Sequence, residues 1–126
     1  MRLVILPFLI FVTFFVAAQA AELPWENPTE DEMALLKKGL VEASNLKDPF
    51  SVQFRDGVRV RAFEGNRVFC GHLNAKNSLG AFTGWTKFAV ANLVIGEDGG
   101  RWMIGIADGS EFSAALIDML CKDFSW

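Results

Sequence analysis

The hydrophobic period of this chain changes twice along its length, and that change limits what it can fold into more than any other feature. In TEDEMALLKKGLVEASN, Met33, Leu36, Leu40 and Ala43 recur three and four places apart, while Glu32, Lys37, Lys38 and Glu42 fall between them. Such spacing puts one apolar stripe on a helix and leaves the charges facing water. Thr29 followed by Glu32 has the pattern of a capping box, and Glu30 and Asp31 occupy the first turn, where the helix dipole favours acids. Gly39 weakens the helix, and Asp48 with Pro49 closes the region.

From Phe50 the period falls to two. Phe50, Val52 and Phe54 alternate; after Asp56 and Gly57, Val58, Val60 and Ala62 alternate against Arg59 and Arg61. This pattern predicts a strand. Glu64, Gly65 and Asn66 turn the chain into a second strand, where Val68, Cys70 and His72 alternate with Phe69, Gly71 and Leu73. The segment 87–95 predicts a third strand, with Asp98, Gly99 and Gly100 as the hairpin turn into a fourth at Trp102, Ile104 and Ile106. The helical period then returns at Phe112, Ala115, Leu116, Met119 and Leu120, behind Asp108 or Ser110 as cap. The expected fold class is α+β: an N-terminal helix, a four-stranded antiparallel meander and a C-terminal helix, with the helices on one face of the sheet.

Ahead of this domain, Arg2 precedes an apolar run over residues 3–18, with small residues at Ala18 and Ala20. Residues 1–20 therefore read as a signal peptide cleaved after Ala20. As a membrane anchor the run falls short of the about 20 apolar residues that span a bilayer, and Pro7 interrupts it. Residues 21–28 read as an exposed lead-in in which Trp25 is able to tuck back, and 29–126 as a single domain. Cleavage leaves roughly 106 residues with a net charge of about −4 and no stable membrane span. That mild acidity argues against nucleic acid or an anionic membrane as partner, since either needs a basic face. The expected location is secreted or periplasmic. Cys70 and Cys121 make an even count in an exported chain, which reads as one disulfide, with two buried thiols as the alternative. A bridge would staple the C-terminal helix to the sheet.

Few constellations carry chemistry. His72 is the single histidine, so any histidine-dependent hydrolysis passes through it, with Asp56 or Asp108 as the acid. Without a partner evident in sequence, it reads more simply as a strand residue beside a disulfide. Zinc wants three or four Cys or His ligands, and this chain has one histidine and two cysteines, so neither metal nor cofactor is expected. The acids of Glu97 with Asp98, Asp108 with Glu111, and Asp48 with Asp56 all have turn or cap roles. Arg59 and Arg61, with Arg55 nearby, lie on one strand face, either as a solvated surface or as a strip able to hold a carboxylate or phosphate. The stretch CGHLNAKNSLGAFTGWTKF offers two readings. Asn74 and Asn77 can bond their own backbone, and Gly80 and Gly84 permit positive φ, which suffices for a structural loop. Lys76, Phe82 and Trp85 beside those amides also have the composition of a binding surface.

The runs LKDPFSVQFRDGVRV and VFCGHLNAKNSLGAFTGWTKF, with the late cysteine of MLCKDF, resemble a recurrent pattern in small exported bacterial proteins of uncharacterised function. The matching residues are Asp48, Pro49, Ser51, Gln53, Phe54 and Arg55, then Cys70, Gly71, Asn74, Ala75, Lys76, Asn77, Gly80, Gly84 and Phe88, and finally Cys121. Gly57 within the arginine segment and His72 beside Gly71 depart from it. The resemblance implies bacterial export and a disulfide, and no activity. The expectation for function is a non-enzymatic binding or accessory protein that recognises a protein or envelope component through residues 74–85. The alternative is a small hydrolase of cell-wall or other extracellular polymer using His72 with a carboxylate.

Overall fold

The computed structural model describes residues 24–63, 65–93 and 100–126. The expected signal segment, residues 21–23 of the lead-in, Glu64 of the first turn, residues 94–95 of the expected third strand, and Glu97, Asp98 and Gly99 lie outside the described residues. Among those described, the order is α1 (Glu30–Ala43), one 3-10 turn (Pro49–Ser51), β1 (Gln53–Phe54), β2 (Arg59–Phe63), β3 (Asn66–Lys76), β4 (Phe82–Leu93), β5 (Arg101–Ile106) and α2 (Glu111–Leu120). The fold is α+β with an antiparallel sheet in which β1 and β2 both lie along β3, followed by β4 and β5. The expected four strands become five because the first one divides. More residues separate Phe54 from Arg59 than separate their partners, Leu73 and Cys70, and the excess loops out at Asp56 and Gly57.

Helix α1 begins as its sequence dictates. Thr29 Oγ1 accepts from the Glu32 N–H at 3.2 Å, and Glu32 Oε1 accepts from the Thr29 N–H at 3.1 Å. Glu32 also meets Arg67 of β3 at 3.2 Å. The stripe seats Leu36 and Leu40, both fully buried, among Phe69, Leu73, Phe88 and Val90. Each such leucine contributes about 1.5–3 kcal/mol on leaving water. Gly39 is there for space, since a Cβ would lie 2.5 Å from the ring of Trp102 on β5.

The other face carries α2. Val68, Cys70, Ala89 and Ala91 pack with Ile117 and Cys121, and the Cys70–Cys121 disulfide joins helix to sheet. The two helices therefore sit on opposite faces, which corrects the expectation of a shared face. Alternate residues of β3 and β4 are apolar on both sides, and a sheet apolar on both faces needs covering twice. The buried side of α2 is also rotated from the expected stripe. Ser113, Leu116 and Ile117 are buried, while Phe112 and Met119 are exposed. In so apolar a helix the spacing leaves the phase open, and the bond from Cys121 to Cys70 selects it.

The lead-in is partly engaged rather than wholly exposed. Glu26 exchanges two backbone hydrogen bonds of 2.9 Å with Val60 on the outer edge of β2. Trp25 packs edge-on against Phe124, with ring centroids 5.2 Å apart, as its apolar ring allows. Among the described residues no helix is long and apolar enough to cross a membrane.

Candidate functional site

β3 and β4 outrun their neighbours. β1 stops where Gln53 meets Asn74, and β5 stops where Ile106 meets Phe88, so the two central strands continue as a projecting hairpin. Residues 74–85, expected as a loop, are therefore mostly strand, and only 77–81 form the tip. The polar run explains the shape. Asn77 Oδ1 accepts from the N–H groups of Leu79 at 2.9 Å and Ala81 at 3.1 Å, and its own N–H donates to the Ala81 carbonyl at 2.8 Å. Asn74 Oδ1 accepts from the Gly84 N–H at 2.9 Å, where the β3–β4 register shifts. Gly80 and Gly84 hold φ of 81° and 105°, which suits glycine. Thr83 Oγ1 closes the bulge by donating to the Ala75 carbonyl at 3.2 Å.

The two asparagines thus spend their side-chain oxygens on the hairpin itself, and other groups face outward. Leu79 at the tip is 91% exposed, Phe82 40% and Trp85 47%. Lys76 Nζ stands 5.4 Å from the centre of the Phe82 ring. By register, Lys76 with Phe82, Asn74 with Trp85, and His72 with Lys87 form successive rungs on the α2 side of the sheet. No aspartate or glutamate occurs between Glu64 and Glu97, so the hairpin carries cations in a chain of net negative charge.

The arginine strip is not an exposed face. Arg59 and Arg61 point to the α2 side, where the returning lead-in covers the sheet edge. Arg61 is only 7% exposed, its guanidinium 4.3 Å from the centre of the Trp25 ring. Arg59 is half-buried, and its Nη1 donates to the Val58 carbonyl at 2.9 Å. Alternation put both on one face, as expected; what covers that face is a tertiary matter. Arg55 remains exposed.

His72 sits at the foot of the hairpin. Its half-buried ring meets Trp126 edge-on at 5.5 Å, Phe124 meets the same indole at 4.7 Å, and Lys87 Nζ stands 4.8 Å from its centre. Arg55, Asp56, His72, Phe124 and Trp126 line a cleft of about 320 Å³. Partial burial pushes the His72 pKa below its ordinary value, and the charges of Arg55 and Lys87 push it further the same way. Asp56 thus shares a cleft with His72, with no hydrogen bond between them among the described residues. Asp108 does not join them. It lines a separate cleft of about 220 Å³ with Ser44, Ile104 and Ser113. There its carboxylate accepts from the Ser110 N–H at 2.9 Å, which holds its pKa below the usual carboxylate range. The hydroxyl of Ser110 caps α2.

Among the described residues no three His, Cys, Asp or Glu stand together as metal ligands. Sequence reasoning missed Leu79, Lys87 and Trp126 as members of this surface. The acid-free stretch around the hairpin was the available signal for the lysine. Nothing local points to Trp126, which reaches His72 only through the path of the chain after α2. No family model, no curated protein and no solved structure matches this chain.

Proposed function

We propose that this is an exported, non-enzymatic binding or accessory protein that recognises a protein or envelope component through the 74–85 hairpin. The observation that carries the reading is the exposure of Leu79, Phe82 and Trp85 on a hairpin pinned by Asn74 and Asn77. Apolar groups held in water on a pre-shaped element lose little conformational freedom on binding, and such groups dominate interface energetics. Lys76 and Lys87 add charge to the same side. The apolar run after Arg2, the small residues before Ala21 and the disulfide support export to an oxidising compartment, secreted or periplasmic.

Hydrolysis of an extracellular polymer is the weaker reading. It has Asp56 in the same cleft as His72 but, among the described residues, no hydrogen bond orienting the imidazole, whereas a general base needs such an orienter. The test is retention of envelope components on the immobilised disulfide-bonded protein, compared with a Lys76→Ala, Leu79→Ser, Trp85→Ala variant of unchanged circular dichroism and melting temperature. A component held by the native protein and lost by the variant is expected. Equal retention by both would remove the hairpin from recognition.

A further inference from the structure

The cleft at the foot of the hairpin is a second site with its own chemistry. Its volume, about 320 Å³, lies near the lower end for ligand sites, so an occupant must be small. One wall is Trp126, whose indole has Phe124 and His72 edge-on to it and Lys87 Nζ 4.8 Å from its centre. An aromatic wall fixed in this way needs no rearrangement to receive a ring or an apolar body. Two cations serve the cleft: Arg55 lines it, and Lys87 stands against the indole. Neither forms an ion pair with a carboxylate among the described residues. Arg55 is also exposed, so its planar fork of donors is open to solvent.

Asp56 is the acidic side chain in the lining and Arg55 the basic one. A single guanidinium in the lining matches one carboxylate, and the second charge of a dianion such as phosphate would find no further arginine or lysine there to meet it. Burial lowers the proton affinity of His72, and the charges of Arg55 and Lys87 lower it further.

We propose that this cleft binds a small organic monocarboxylate, with its carboxylate on the Arg55 guanidinium and its ring or apolar body against Trp126. The fork of arginine matches a carboxylate in two parallel hydrogen bonds, and the aromatic wall rewards a body that acetate lacks. This site is separate from the hairpin tip and does not rest on the recognition role proposed for it.

The chain has one histidine, so a single imidazole resonance reports the cleft without ambiguity. Titration of the disulfide-bonded protein with sodium benzoate is expected to give saturable shifts of the His72 and Trp126 resonances. The titration midpoint of His72 should also rise in the bound state, because a nearby anion favours the imidazolium. Benzamide, acetate and inorganic phosphate should each bind at least about tenfold more weakly, and Arg55→Gln should weaken benzoate by about tenfold or more, as loss of a charge-assisted hydrogen bond does. Arg55 is exposed, so that variant retains the fold, which the unchanged remainder of the spectrum checks. Benzamide binding as tightly as benzoate, phosphate binding more tightly than either, or benzoate giving no saturable shift at tens of millimolar would overturn the proposal. So would tighter binding of a short peptide ending in a free-carboxylate phenylalanine, which would assign the cleft to the end of a partner chain.

Discussion

Two asparagines in one short run do different amounts of work. Asn77 Oδ1 satisfies two tip N–H groups and Asn74 Oδ1 satisfies one, at the bulge. Asn77→Ala is therefore expected to cost about 1 kcal/mol, and Asn74→Ala less, since it gives up one exposed hydrogen bond rather than two. Urea denaturation checks the order, and an Asn74 variant that lost more than the Asn77 variant would contradict it. Both roles were legible as self-capping amides; which N–H groups they meet was not. His72 makes a pH prediction. Its folded pKa lies below 6.5, so the unfolded chain takes up the proton first. Stability is then full above 6.5 and falls as pH drops from there through the folded value. The imidazole midpoint should lie below 6.5 and move up in Lys87→Gln, which an NMR titration reads directly.

The elements are held by close approach and by one covalent bond. Alanine normally gains about 1 kcal/mol over glycine inside a helix. At Gly39 the added methyl would fall 2.5 Å from the Trp102 ring, so Gly39→Ala is expected to destabilise by about 1–3 kcal/mol instead, as overpacking does. A variant more stable than the native protein in thermal unfolding would refute this. Helix α2 depends on the disulfide, whose cysteines lie 51 positions apart. The Cys70→Ala, Cys121→Ala double variant is expected to lose about 4 kcal/mol in the chain-entropy account, measured as a lower denaturation midpoint with a steeper slope, because the unfolded chain without its cross-link exposes more surface. The staple itself was legible in the cysteine count. The face to which it fastens α2 was not, because Phe112 and Met119 match a helical stripe as well as Leu116 and Ile117 do.

Across the whole molecule, stability and exposure are segregated. Phe69, Phe88 and Val90 are fully buried between α1 and α2 in the middle of the sheet, while residues 77–85 of the same two strands stand in water. Hydrogen exchange should follow that division. Amides of Phe69, Phe88 and Val90 are expected to open only with global unfolding, and those of residues 79–85 orders of magnitude faster by local opening. Uniform protection along β4 would contradict a hairpin that projects beyond its neighbours. The same arrangement concentrates cations on the hairpin, away from the acids elsewhere in the chain.

Local physics determined much of this protein from sequence alone. The capping box at Thr29 and Glu32, the buried pair Leu36 and Leu40, the alternating strands, the cysteine pair and the self-bonding asparagines all depend on neighbours a few positions away, and a period or a spacing records them. Tertiary structure decided what distance along the chain conceals: that α1 and α2 cover opposite faces, that Arg61 lies under Trp25, and that Trp126 closes a cleft over His72. Those outcomes depend on which of two apolar sheet faces each helix meets, and a two-residue period marks both faces without saying what will cover either.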